Sequence, residues 1–298
     1  MSGTASDPGA RIEALGIWQG PVTWEPLHGG LSNESFTARD RRGRYVVRFG
    51  RDFPFHHVWR AREAMVARAA HTAGFAPEVI HTAPGIMVAR FIEGRTCGAG
   101  DVRANIARIA ALVRRFHDQM PRHVSGPAFL FWPFHVIRDY ARTLEAGGSR
   151  MAPRMPEFLA LAGEMERAQV PMPIVFGHHD LLPANFIDDG ARLWLIDFEY
   201  AGFGTAMFDL AGIAANAGFD AGEAEALLAT YLGTAPDAAL LRSHAAMQCA
   251  SLLREAMWSM VSELHLDAPG ADYVAYTAAN LDALDAALAA WRARFGGD

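Results

Sequence analysis

The sequence contains no lysine, and all 27 of its lysine or arginine positions are arginine. A Walker-type phosphate loop needs a lysine beside its glycines, so the chain cannot bind a nucleotide in that way. Schiff-base chemistry and Ser-Lys hydrolysis are excluded too, because both depend on a lysine amine. A compositional bias of the genome is the simplest explanation, and the exclusions hold whatever the cause.

Cysteine is scarce, and long apolar runs are absent. The 298 residues include two cysteines, Cys97 and Cys249, which are far apart and match no metal-binding spacing. A reduced, cytoplasmic protein is therefore expected. The N-terminus lacks the pattern of a secretory signal, and no apolar run reaches the ~20 residues of a membrane span. The net charge of −6 argues against a nucleic-acid-binding surface but allows a local site for ATP.

The order of strand and helix patterns predicts a two-lobed α+β protein. β-rich segments at 23–51 and 76–94 flank one helical segment at 58–73. Helical spacing then dominates, with helices predicted at 102–120, 157–170, 237–266 and 271–295. We expect a small β-rich nucleotide-binding lobe, residues 1–93, and a larger helical lobe with the catalytic and substrate sites, residues 94–298.

The stretch 176–198, FGHHDLLPANFIDDGARLWLIDF, carries the most informative motif. Asp180 is followed five residues later by Asn185, and an apolar strand beyond an Asp-Asp-Gly turn ends on Asp197. Kinase-type enzymes place an Asp, an Asn and a second Asp in this order. Asp180 is thus the candidate catalytic base, and Asn185 and Asp197 are candidate Mg²⁺ ligands.

Four residues around this motif are expected to support it. Glu199 should lie on the same strand face as Asp197. His178 should brace the loop without carrying protons, and His117 should be a packed or capping histidine. Asp209 should cap the catalytic loop or start a helix.

A charge within a strand pattern points to a second part of the site. Arg48 interrupts the apolar run YVVRFG at 45–50, so it either reaches solvent or meets an anion. Glu63 falls near the middle of the next predicted helix. An Arg48–Glu63 pair would do what a strand lysine and a helix glutamate do in protein kinases.

Two further segments are candidates for binding ATP. The GGLSN loop, which includes Ser32 and Asn33, offers backbone amides to phosphates, although a Gly-Gly turn alone is a weak signal. The hinge between the lobes, with Phe91 and Ile92, offers backbone groups and apolar walls to an adenine.

In combination these motifs resemble the aminoglycoside phosphotransferase and choline/ethanolamine kinase superfamily, and within it the choline kinase branch. The matching pieces cover nearly the whole chain: GGLSN at 29–33, YVVRFG at 45–50, HHDLLPANFI at 178–187, WLIDFEYA at 194–201, LREAMWSMV at 253–261 and DYVAY at 272–276. The resemblance implies a protein-kinase-like fold, with Asp180 as base and Mg²⁺ on Asn185 and Asp197. It also implies that Arg48 and Glu63 lie at the ATP phosphates.

The resemblance further implies an aromatic box for a quaternary ammonium. The matching positions are Tyr200, Trp258 and Tyr276, with Glu199 beside them as a further substrate-binding residue; helix packing is the alternative for Trp258 and Tyr276. Glu255 departs from the pattern, since choline kinases tend to have a second tryptophan there. A carboxylate can bind a cationic head group by charge, and it could favour a primary amine over a trimethylammonium.

The leading hypothesis is an ATP- and Mg²⁺-dependent kinase that phosphorylates a small cationic alcohol, choline or ethanolamine. An alternative keeps this chemistry with another acceptor, such as an aminoglycoside, thiamine or another amino alcohol. A pseudokinase that binds ATP without catalysis is the third hypothesis. The three motif residues Asp180, Asn185 and Asp197 are all present, which disfavours the last one.

Overall fold

A five-stranded antiparallel sheet forms most of the N-terminal third. The computed structural model describes residues 7–27, 33–127, 129–266 and 270–296. The sheet has the order β1-β2-β3-β5-β4. Its strands are β1 (Thr23–Pro26), β2 (Glu34–Asp40), β3 (Gly43–Phe49), β4 (Val79–Ala83) and β5 (Ile86–Arg90). A short helix, α1 (Pro8–Glu13), precedes them.

The hairpin between β4 and β5 turns at a glycine that no other residue could replace without strain. Gly85 has φ of +71°, and a Cβ at this position would come 2.5 Å from the carbonyl oxygen of Gly50. The amide of Gly50 donates to the carbonyl of Gly85 at 2.9 Å. This close approach ties the hairpin to the end of β3, the strand that carries Arg48.

Helices dominate the rest of the chain. They are α2 (Arg60–Thr72), α3 (Ala99–Ala104), α4 (Ile106–Gln119), α5 (Pro133–Ala146), α6 (Met155–Arg167), α7 (Ala206–Ala217), α8 (Ala221–Leu232), α9 (Ala238–His265) and α10 (Tyr273–Phe295). The 28-residue α9 is central and packs against α5, α6, α7 and α10. Among the helices in the described part of the chain, none combines the length and hydropathy needed to cross a membrane.

One predicted helix is divided in two. The pattern at 102–120 predicts a single helix, which is wrong, because the backbone leaves helical geometry at Asn105, with φ of −124°. The Asn105 side chain donates to the carbonyl oxygen of Asp101 at 2.8 Å. Asparagine often competes with a helix in this way, since its amide replaces the backbone donor.

Two small sheets accompany the large one. The first has the order β6-β8-β9, from β6 (Arg95–Thr96), β8 (Phe186–Asp188) and β9 (Leu193–Leu195). The second pairs β7 (Ile174–Gly177) with β10 (Gly202–Thr205). Asp189 shapes the predicted β8–β9 hairpin, because its Oδ1 accepts hydrogen bonds from the amides of Ala191 and Arg192.

Two separate hydrophobic cores confirm the two-lobed α+β architecture. The smaller core lies on the five-stranded sheet and comprises Ile12, Phe36, Ala38, Tyr45, Val47, Phe49 and Val88. The larger core runs through the helical part of the chain and also takes in Val66 and Ala70 of α2. The exact division at 93/94 stays a prediction.

Candidate active site

The loop after β7 brings Asp180 and Asn185 together. Asp180 lies in the irregular segment before a short 3₁₀ turn, Pro183–Asn185. The Asn185 side-chain amide donates to the Asp180 carbonyl oxygen at 2.7 Å and lies 3.4 Å from the Asp180 Oδ2. The five-residue spacing therefore places the candidate base beside the candidate ligand.

A buried carboxylate holds this loop through hydrogen bonds to its backbone. Asp209, in the first turn of α7, accepts hydrogen bonds from the amides of His178 (2.8 Å) and His179 (2.7 Å). His117 Nε2 lies 2.8 Å from the same carboxylate, so His117 is a packed residue, as predicted. Burial alone would raise the pKa of Asp209, but the His117 hydrogen bond and the nearby histidines lower it below its usual range.

Asp209 thus caps the catalytic loop, one of the two roles predicted for it. The N-terminus of α7 is instead capped by Thr205, whose hydroxyl accepts from the Met207 amide. His178 braces the loop as expected, since its Nε2 lies 3.0 Å from the Ile196 carbonyl oxygen. Burial lowers the pKa of His178, in keeping with a neutral structural role.

Asp197 is positioned by a break in the backbone. Beyond the paired residues of the β8–β9 hairpin, the Ile196 amide donates to the Asn185 carbonyl at 3.1 Å. The next residue, Asp197, has φ of +67°. Left-handed backbone outside glycine is uncommon and often marks functional sites. The prediction that Asp197 and Glu199 share a strand face is wrong, because β9 already ends at Leu195.

A chain of ion pairs connects β3, α2 and the segment after β9. Arg48 Nη1 lies 2.7 Å from Glu63, which is the predicted pair, and Arg48 Nη2 lies 3.3 Å from Asp197 Oδ1. Burial opposes the charge of Arg48, but the nearby carboxylates of Asp197 and Glu63 raise its pKa.

Arg60 extends this chain to Glu199. Its Nη1 lies 2.6 Å from Glu63 Oε2 and 2.8 Å from Glu199 Oε2. Burial and the charges of Asp197 and Glu63 raise the pKa of Glu199 to about 7. The structure therefore places the Glu199 carboxylate against α2, and its predicted contact with substrate stays a prediction.

A cavity of about 380 Å³ lies between the sheet and the catalytic loop. Its walls include Arg48, Asn185 and Asp197 at one side and apolar residues at the other, among them Val46, Ala67, Val79, Met87, Phe91, Ile92, Ile187 and Ile196. This size and lining are typical of a pocket for a small ligand or cofactor.

The residues predicted to bind nucleotide are placed differently around this cavity. The Phe91 amide already donates to the Arg44 carbonyl at 3.0 Å, so this amide is not available to a base. Ile92 lines the cavity as well. Asn33 directly precedes β2, and Ser32 lies outside the described residues.

The donor set around Asp197 fits a magnesium ion that is also bound by phosphates. Asn185 and Asp197 line the same cavity, and the Asp197 side chain is 30% exposed. Mg²⁺ is usually held by one or two protein carboxylates together with substrate phosphates and waters, and amide oxygens are equally hard ligands. Within the described ranges no three His, Cys, Asp or Glu side chains form a metal cluster.

The predicted aromatic residues do come together, and two of them, Trp258 and Tyr200, also contact other polar side chains. Trp258 Nε1 donates to the Tyr200 hydroxyl at 3.0 Å, and the Trp258 and Tyr276 ring centroids are 6.1 Å apart. His56 stacks on Trp258 at 5.2 Å, and Arg254 lies 4.7 Å from the Tyr200 ring centroid.

Glu255 lies at the edge of this cluster. Its Oε1 accepts from the Tyr276 hydroxyl at 2.8 Å, and its Oε2 pairs with Arg254. Glu255 and Arg254 also line a small cavity together with Asp180. Burial raises the pKa of Asp180 well above its usual range, while the charge of Arg254 opposes this rise.

Two arginines of the site were missed by sequence reasoning. Arg60 lies near the predicted start of α2, and no pattern in the neighbouring sequence indicates its contacts with Glu63 and Glu199. Arg254 could have been found from the sequence, because it lies four residues from both Ala250 and Trp258 and so falls on the buried face of α9. A charge on such a face needs a partner, so the helical period alone marks it as unusual.

Comparison with known proteins identifies the family. The model of the phosphotransferase enzyme family matches residues 23–243, which is most of the chain. The chain therefore belongs to this family and is an enzyme of it, which confirms the resemblance found in the sequence.

Relatives with known structures or names support the same grouping. A choline/ethanolamine kinase family protein from Mesorhizobium loti is 28% identical, with a TM-score of 0.76 over 94% of this chain and 92% of the other. Protein LicA of Haemophilus influenzae is 25% identical, with 68% of this chain and 61% of that protein covered. A probable ethanolamine kinase of Arabidopsis thaliana is 28% identical, with coverages of 51% and 43%. The match thus spans less than two thirds of these two relatives.

Proposed function

We propose that the protein transfers the γ-phosphoryl group of ATP, with Mg²⁺, to the hydroxyl of a small cationic alcohol, with choline and ethanolamine as the first candidates. One observation carries this proposal. Asp180 and Asn185 are hydrogen-bonded to each other, and Asn185 and Asp197 line a cavity that also contains Arg48 of the Arg48–Glu63 pair. The family membership and the similarity to choline and ethanolamine kinase relatives support it.

Each residue of the site has a role in this reaction. The Asp180 carboxylate accepts the proton of the acceptor hydroxyl while the hydroxyl oxygen bonds to the γ-phosphorus and the bond to the ADP oxygen breaks. Arg48, held by Glu63, points its charge toward the phosphates. Asn185 and Asp197 would hold Mg²⁺, which neutralises phosphate charge when bound. Most of the catalysis then comes from positioning and electrostatics.

The alternatives differ in the acceptor or in the presence of catalysis. An aminoglycoside, thiamine or another amino alcohol would use the same base and metal ligands. A pseudokinase would bind ATP and transfer nothing. The intact set of Asp180, Asn185 and Asp197 favours catalysis, and the aromatic cluster favours a small acceptor.

An acceptor panel separates these functions. ATP consumption would be measured for the purified protein with Mg²⁺ and choline, ethanolamine, thiamine or kanamycin in turn, and product would be verified by mass. We expect turnover with an amino alcohol. Turnover with kanamycin or thiamine alone would replace the proposed acceptor, and ATP binding without phosphorylation of any acceptor would support a pseudokinase.

A further inference from the structure

A buried arginine beside the candidate base has hydrogen-bonding capacity that the described residues do not use. Arg254 lies in the middle of α9 and is 3% exposed. Its Nη1 pairs with Glu255, whereas its Nε and Nη2 are buried and have no hydrogen-bond partner in the described part of the chain. Buried donors of a charged group are costly when unsatisfied, so a ligand or a water is expected to accept from them.

This guanidinium also takes the place where a ligand cation would contact the aromatic cluster. Its carbon lies 4.7 Å from the Tyr200 ring centroid and 5.9 Å from that of Phe131. His56 covers Trp258 by stacking at 5.2 Å. A quaternary ammonium carries no hydrogen-bond acceptor. It would compete with Arg254 for this Tyr200 ring face and leave the Arg254 donors unpaired.

The charges around Arg254 still allow an ammonium group nearby. Asp180 and Glu255 line the same small cavity as Arg254, together with Asn216 and Ser251. Arg254 pairs with Glu255, so the Asp180 carboxyl group remains for an ammonium to contact. A ligand with both an ammonium and an oxyanion would match this arrangement.

We propose that the acceptor alcohol carries a carboxylate besides its hydroxyl and ammonium groups, and that Arg254 is the specificity residue that binds this carboxylate. This inference rests on the proposed phosphoryl transfer, and it replaces choline and ethanolamine as first candidate acceptors with small hydroxy amino acids. A carboxylate oxygen can accept from the unpaired Nε and Nη2 donors of this guanidinium, and hydrogen bonds between two charged groups are the strong ones.

The alternative occupant of this place is a single water. The cavity has a volume of about 10 Å³, which is about the space that one water needs. One oxygen of an acceptor carboxylate would take the place of that water, because the cavity has room for about one such atom. A water alone predicts no preference for acceptors with a carboxylate.

Two matched pairs of acceptors isolate the contribution of the carboxylate. L-serine differs from ethanolamine, and L-homoserine from 3-aminopropan-1-ol, only by that group. We would measure kcat/KM for all four, and for choline, with the wild-type protein and with Arg254→Met and Arg254→Lys. Arg150→Met is the control, because Arg150 forms a surface ion pair with Glu263 of α9, the helix that carries Arg254. Melting temperature and ATP affinity would show that each variant is folded.

We expect the wild-type protein to prefer the carboxylate-bearing member of at least one pair. In Arg254→Met this preference should fall about a hundredfold, as is usual when one partner of a buried charge pair is removed. Arg254→Lys should retain part of it, and Arg150→Met all of it. A purely structural role of Arg254 would lower turnover of both members equally and leave their ratio unchanged.

Two results would overturn the inference in different ways. Phosphorylation of ethanolamine or choline with no carboxylate preference, or with a preference that Arg254→Met leaves intact, refutes the role of Arg254 while the proposed kinase function stands. ATP binding without transfer to any of the five acceptors refutes both.

Discussion

Replacing Asp209 with asparagine should loosen the catalytic loop without changing its size. In the wild-type protein, Oδ2 accepts from the His178 amide and lies 2.8 Å from His117 Nε2, while Oδ1 accepts from the His179 amide. An asparagine keeps one acceptor and turns an NH₂ group toward one of these amides. One buried donor is then unpaired, which costs about 1–3 kcal/mol, and the charge-assisted bonds are lost as well.

The total loss of stability is expected to be about 3–5 kcal/mol, because buried charge networks lose about this much when one member is removed. For a chain of this size that corresponds to a fall in melting temperature of roughly 5–10 °C. The loop carries Asp180, and a displacement of ~1 Å from productive geometry costs about a hundredfold in rate. We therefore expect kcat of Asp209→Asn to fall by about that factor.

Thermal unfolding and acceptor turnover of the same preparations would test this reasoning. Asp237→Asn is the matched control, because Asp237 caps α9 at the surface through the Leu240 amide and asparagine caps equally well. If Asp209→Asn melted within about 2 °C of the wild type and kept its kcat, the bracing role inferred from the hydrogen bonds would be refuted.

Two other predictions follow from the buried charges. Arg48→Met should raise the KM for ATP about thirtyfold in steady-state kinetics, since it removes a buried cation shared by Glu63 and Asp197. Arg154→Met, at the exposed pair with Glu157, should leave this KM unchanged. Burial lowers the pKa values of His179 and His244 to about 4 from 6.5, so the unfolded chain binds protons that the folded chain excludes. The free energy of unfolding should therefore be highest above pH 6.5 and fall toward pH 4. Urea unfolding at pH 5 should show a loss of about 2 kcal/mol for each histidine. Equal free energies of unfolding at pH 7 and pH 5 would contradict this.

Local patterns were enough to predict the parts of the site that depend on neighbours in sequence. The hairpin after Asn185 follows from its turn residues and apolar strands, and the Asp180–Asn185 contact follows from a fixed spacing. The Arg48–Glu63 pair could be predicted as well, because an arginine in an apolar strand needs an anion and the next helix supplied one.

Features that depend on tertiary packing could not be predicted in the same way. The left-handed backbone at Asp197 ends the strand early, which no apolar pattern indicates. The aromatic residues were predicted correctly as a cluster. The contacts of Arg254 with Tyr200 and of His56 with Trp258 depend on how α9 is rotated, which the sequence does not show. The split at Asn105 reflects a side-chain hydrogen bond that competes with the helix.

The central claim is that Asp180 is the base of a phosphoryl transfer, and Asp180→Asn tests it most directly. Asparagine keeps the shape of the side chain beside Asn185 but cannot take the proton. We would follow transfer of a labelled γ-phosphate from ATP to the best acceptor, with Asp282→Asn on the exposed face of α10 as control. The account predicts a loss of about a thousandfold in transfer with unchanged ATP affinity and melting temperature. Transfer by Asp180→Asn at nearly the wild-type rate would contradict it.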